Sequence, residues 1–68
     1  MRIKYFPDTD TALIELVDMP VEETREVSED VYIDLGSDGA VVSITVEHAK
    51  EKANISELSF IQMERAVA

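Results

Sequence analysis

The 68-residue chain reads as a small α+β domain: an antiparallel β-sheet of four to five strands, made of two hairpins and a short edge strand, with a C-terminal helix. Three observations support this. Apolar residues alternate with period two in four separate stretches, the pattern of half-buried strands. Clusters of Pro, Asp and Gly punctuate those stretches, at Pro7, Asp8 and Asp10 and again at 36–39. After His48 the composition shifts to helix formers. Residues 1–68 then form one domain, with the sheet over 1–49 and a helical segment over 50–68.

The elements follow in order. Ile3 and Tyr5 alternate with Arg2 and Lys4, which makes a first strand. Pro7 fixes φ and offers no N–H, and Asp8 and Asp10 suit a reversal. Residues 11–17 form the returning strand, with Ala12, Ile14 and Leu16 on one face and Leu13, Glu15 and Val17 on the other, so it belongs in the sheet interior. Asp18-Met19-Pro20 breaks the pattern. Residues 21–28 read as a short edge strand guarded by Glu22, Glu23, Arg25 and Glu26, with Val27 as its inward residue. Ser28-Glu29-Asp30 is a tight acidic turn. The second hairpin joins Val31, Ile33 and Leu35 to Val42, Ile44 and Val46 through Gly36-Ser37-Asp38-Gly39, with Ser43 and Thr45 outward. Asn54 and Glu57 have capping-box spacing, and Ile55, Leu58 and Ile61 make a stripe that predicts the terminal helix.

Size and charge narrow the function classes. A domain this small buries roughly 60% of its unfolded surface and has a thin core. With no cysteine and one histidine, neither disulfides nor a structural zinc site can reinforce it, which leaves self-association. A homo-oligomer is expected, a dimer first. The net charge of -9 repels nucleic acid phosphates, so no direct nucleic acid binding is expected; the charge either keeps a chain with 46% hydrophobic residues soluble, the plainer reading, or suits a basic protein partner. The N-terminal residues lack the roughly 7–15-residue apolar core of a signal peptide, and no stretch is long enough to span a membrane. The expected location is the cytoplasm, away from membranes.

Candidate sites are few, and each has a plain structural reading. Asp8 and Asp10 form a D-x-D that could ligate a divalent cation, but the further oxygens and central glycine of a calcium loop are missing. Turn chemistry explains them. Asp34 and Asp38 beside Gly36 have the same explanation. His48 lacks a nucleophile or acid nearby in sequence, and no serine sits in a G-x-S-x-G elbow. No catalytic residue, metal site or cofactor is therefore assigned. Glu22, Glu23, Glu26, Glu29 and Asp30 form the densest acidic group, either a solvated edge or a face for a basic partner. Leu58, Phe60, Ile61 and Met63 either close the protomer's own sheet or pack on another chain.

Lys4, Tyr5, Pro7, Asp8, Asp10, Leu13, Ile14 and Leu16, then Glu23-Thr24-Arg25-Glu26-Val27, then Val31-x-x-Asp34 and Gly39-x-Val41-Val42-x-Ile44, together resemble a known family over residues 1–49. It is the small bacterial and archaeal family catalogued as domain of unknown function 2283. The chain departs from the family pattern at Phe6, Ser43 and Thr45. The resemblance implies no activity and no catalytic residues. It does imply a gene arrangement like that of a toxin and antitoxin pair. The expectation is therefore a noncatalytic protein–protein interaction module, antitoxin-like, with a small basic partner. The alternative is a small enzyme or divalent-metal-binding protein using Asp8, Asp10, Asp34 or His48 across an oligomer interface.

Overall fold

The computed structural model describes residues 1–66. Strands β1 (Arg2–Phe6), β2 (Thr11–Glu15), β3 (Glu23–Ser28), β4 (Val31–Leu35) and β5 (Val41–Glu47) form one antiparallel sheet in the spatial order β1-β2-β5-β4-β3. A short helix, α1 (Ala49–Lys52), follows β5. The expected antiparallel sheet with a C-terminal helix is present, with β-structure dominant.

Both hairpins form where turn chemistry placed them. In the first, Ile3 faces Ile14 and Tyr5 faces Ala12. Its loop turns at Pro7, where the Thr9 N–H donates to Phe6 O at 3.3 Å, and Asp10 takes a left-handed φ of 53°. Aspartate tolerates that conformation better than most residues. In the second hairpin, Ile33 faces Ile44, and Gly39 reverses the chain at φ 82°. The Gly39 N–H donates to Gly36 O, and Asp38 Oδ1 accepts the Ala40 N–H, both at 3.0 Å. A Cβ at Gly39 meets nothing within 4 Å, so only backbone strain opposes it. Gly39→Ala is expected to cost about 1–2 kcal/mol, measured by urea unfolding.

β5 joins the two hairpins by pairing with β2, Ile14 opposite Ile44 and Ala12 opposite Val46. The connection over 16–22 crosses one end of the sheet. Leu16 and Val17 N–H groups donate to Val42 O at 2.9 and 3.3 Å, and the Glu22 N–H donates to Leu35 O at 2.8 Å. It delivers β3 to the edge beyond β4, as its charge pattern predicts. Val27 is not inward, however: it sits at a register shift between Glu26 and Ser28 and is 61% exposed. The extra residue of a bulge leaves the ladder unpaired and turns its side chain away.

The register sorts side chains onto two faces. Ile3, Tyr5, Ala12, Ile14, Ile33, Leu35, Val42, Ile44 and Val46 share face A; Arg2, Lys4, Leu13, Glu15, Tyr32, Asp34, Ser43 and Thr45 share face B. Face A is the apolar one. A sheet normally buries such a face against a second layer, yet among the described residues none is supplied. Ala12, Leu35, Val42 and Ala49 are the buried apolar residues, and no large side chain is fully buried.

The helix ends far earlier than its stripe predicted. Ala53 is extended, and 53–66 hold no helix. Asn54 Oδ1 accepts the Ser56 hydroxyl at 2.8 Å, while the Glu57 N–H goes to the Asn54 carbonyl at 3.3 Å, so the capping box does not form. A helix this short is marginal in water unless its apolar stripe is packed, and here only Ile55 of that stripe is even half-buried. The end of the expected helical segment, 67–68, lies outside the described residues.

Candidate functional site

Three features could serve function: a polar latch at one end of the sheet, the uncovered face A, and the acidic edge. The latch begins at Asp10. Its left-handed backbone aims the carbonyl and the carboxylate at α1, where Asp10 O accepts the Ala49 N–H at 3.0 Å and Oδ1 accepts the Lys50 N–H at 3.1 Å. The Tyr5 hydroxyl donates to the same Oδ1 at 2.7 Å, and that carboxylate holds the Tyr5 phenol above its ordinary pKa. His48 makes no side-chain cap of its own. A distant turn therefore caps this helix.

Asp30 forms the other half. Its carbonyl accepts the Glu47 N–H at 2.7 Å, and its carboxylate is buried against His48 and Lys52. His48 Nδ1 lies 2.8 Å from Asp30 Oδ1, so Nδ1 carries the proton and donates; Lys52 Nζ is 3.5 Å from Oδ2. The hydrogen bond from His48 is the main reason the Asp30 carboxyl titrates below its ordinary range, and Lys52 adds to it. The same bond is the main reason His48 titrates above its ordinary range, reinforced by Glu51 and Glu47. A left-handed φ of 52° at His48 breaks the strand alternation and turns the ring to Asp30.

The pH dependence has a definite sign. The raised His48 contributes stability fully present below its unfolded pKa of about 6.5, and this is lost as pH rises through the higher folded value. The depressed Asp30 contributes stability present above about 3.9, lost as pH falls through the lower folded value. The latch is therefore complete between about pH 4 and 6.5. Melting temperature should fall as pH rises above that window, and His48→Asn, which keeps the left-handed backbone accessible, should flatten that fall. An unchanged slope in the variant would refute the assignment.

Face A is roofed only at one side. A cavity of about 340 Å³ lies between Ile3, Tyr5, Ala12, Ile14 and Val46 of the sheet and Ala53, Asn54, Ile55, Glu57 and Leu58 of the following segment. Ile55 is half-buried there. Leu58, Phe60, Ile61 and Met63 are 74, 84, 74 and 79% exposed. They do not close the protomer's own sheet.

The acidic group is not one patch. Glu23 pairs with Arg25, Nε to Oε1 at 2.9 Å, which lowers the Glu23 pKa. Asp30 is withdrawn into the latch, against its expected place on a solvated edge, because burial with two cations suits a carboxylate better than isolation. Glu22, Glu26 and Glu29 remain exposed. On face B, Asp34 accepts the Thr24 hydroxyl at Oδ1 and the Ser43 hydroxyl at Oδ2, both at 2.6 Å. Ser43, expected outward, is only 6% exposed. Asp34→Ala should cost about 1–3 kcal/mol by stranding that hydroxyl, whereas Asp34→Asn should recover part of it; equal stability of all three proteins in urea would sink this reading. Glu15 forms an ion pair with Lys4 at 2.8 Å and accepts from Arg2 at 3.4 Å, and Lys4 first and Arg2 second hold its pKa down.

Asp8 is exposed, and Asp10, Asp34 and His48 are engaged within the fold rather than converging on one another. Among the described residues no three His, Asp or Glu side chains are grouped to hold a metal ion. Sequence reasoning missed the buried Asp30 and Ser43 and the reach of Asp10 to Lys50. The alternation pattern carries no sign of them, since it does not record what lies opposite: Asp34 across the strand pair from Ser43, and α1 and its flank beside Asp10 and Asp30.

No curated protein and no solved structure matches the chain. Residues 2–50, the whole sheet and the start of α1, match the family described as protein of unknown function (DUF2283). The chain belongs to that family.

Proposed function

We propose that this protein is a noncatalytic protein–protein interaction module: a homodimer that offers its remaining acidic surface to a small basic protein, as the neutralising member of a toxin pair would. One observation supports this above all. The sheet is a single layer whose apolar face A is covered at one side only, by residues 53–58, while the polar side chains that could do chemistry are engaged in holding turns and strands together. Glu22, Glu26 and Glu29 are exposed and form no ion pair among the described residues. They contribute to the field of a chain with net charge -9, which steers a basic partner toward it.

The test is co-purification at two ionic strengths. A small basic protein should be retained at low salt and released as salt rises, because screening shortens the reach of these charges to about 8 Å at physiological ionic strength. Glu22→Gln with Glu26→Gln and Glu29→Gln should slow its association while leaving the melting temperature unchanged. Failure to retain any basic protein at low salt, including the product of the neighbouring gene, overturns the antitoxin form of the proposal. A melting temperature raised by Ca²⁺, Mg²⁺ or Zn²⁺ would overturn the noncatalytic, metal-free form through linkage.

A further inference from the structure

We propose that face A is closed by a second copy of this chain, each protomer laying its C-terminal arm, residues 57–66, across the sheet of the other. This rests on the interaction-module reading and specifies how its dimer is built.

The area requirement points first. The chain exposes 5647 Å², whereas a folded monomer of 7.6 kDa is expected to expose about 4,300 Å². The excess, roughly 1,300 Å² per chain, is of the size a stable homodimer buries. Its radius of gyration, 14.2 Å, likewise exceeds the roughly 11 Å of a compact chain this long. Part of that surface is apolar side chain on the arm, at Leu58, Phe60, Ile61 and Met63, each 74% or more exposed.

Geometry and charge choose the occupant. The latch at Asp10 and Asp30 fixes the root of the arm at one end of the sheet, and Ile55 starts it over face A. One extended segment is about 10 Å wide, against roughly 24 Å for five strands spaced about 4.8 Å apart, so a single arm folded back cannot cover its own sheet. A second sheet with its own arm can. The charged residues that the register places on face A, Glu23 and Arg25, neutralise each other. A basic protein finds no complement there, while the charge-balanced, apolar face of a second copy does. Each chain carries one uncovered face and one apolar arm, so a two-fold exchange satisfies both at once and leaves nothing open to further addition.

A benzophenone photocrosslinker placed at Phe60, a side chain exposed in the protomer, tests this in the intact chain. Illumination should give a product of twice the chain mass, joined to face A residues such as Ile33 or Ile44. Separately, Phe60→Ser with Ile61→Ser should raise the dimer dissociation constant about a hundredfold or more, with the melting transition of the dissociated chain unchanged. A dimer by sedimentation whose crosslinks all fall within one chain, or that forms none, overturns the arm exchange and leaves the dimer standing. A chain that sediments as a monomer at every concentration overturns both.

Discussion

Ile44→Asp is expected to abolish self-association and to leave a monomeric sheet at concentrations where the parent chain is dimeric. Ile44 sits at the centre of face A, between Ile14 on β2 and Ile33 on β4. In the protomer it is only half-buried, so a carboxylate there still reaches water. In a closed dimer the same carboxylate would be desolvated without a partner, which costs several kcal/mol and corresponds to at least a thousandfold in dissociation constant. Thr45→Asp, one residue along on face B, is the control and should dimerise as the parent does. Sedimentation equilibrium across a hundredfold range of concentration reads the difference, and circular dichroism checks that the sheet persists. Dimers of equal affinity in both variants would place the interface elsewhere.

Asp10→Ala should produce the largest loss of stability of any exposed-loop substitution in this chain. Two donors lose their acceptor, the Tyr5 hydroxyl and the Lys50 N–H, which both bond Oδ1, and a third, the Ala49 N–H, loses alignment with a carbonyl held by the left-handed turn. Alanine also resists the φ of 53° that aspartate accepts. Together these should cost about 2–4 kcal/mol, or a melting temperature lower by roughly 10–20 °C for a domain of this size. Asp10→Asn keeps the conformation and one acceptor oxygen and should fall between parent and alanine. Because α1 roots the C-terminal arm, Asp10→Ala should weaken dimerisation as well as folding. A variant that melts within 2 °C of the parent, itself a change worth less than about 0.5 kcal/mol, would show that the turn holds without its side chain.

Much of the sheet was legible because local physics specifies it. Period-two alternation placed β1, β2, β4 and β5, and Pro7 and Gly39 marked reversals that demand particular backbone angles. The charged stretch before Ser28 marked an edge because edges need such protection. The terminal helix is present but shorter than its stripe predicts, for a related reason. Periodicity reports which side chains could share a face, and a helical stripe becomes a helix only when something packs against it. Of that stripe only Ile55 is half-buried in the protomer, while Leu58 and Ile61 are each 74% exposed.

The site was less legible because its contacts run between hairpins. Asp10 looked like turn chemistry, and it is; that it also caps a helix forty positions away follows only from β5 settling beside β2. Asp30 looked like one more surface acid until the β4–β5 pairing set it beside the end of β5, where His48 and Lys52 reach it.

From sequence alone came the fold class, the two hairpins, the edge strand, the family resemblance and the net charge of -9. These follow from interactions between near neighbours and from composition, which a linear string records in full. Only the tertiary structure decided the strand order, the withdrawal of Asp30 and Ser43 from solvent, the early end of α1 and the one-sided cover of face A. Each depends on what lies opposite a side chain across the fold, and the cost or gain of burial belongs to that pairing rather than to the residue.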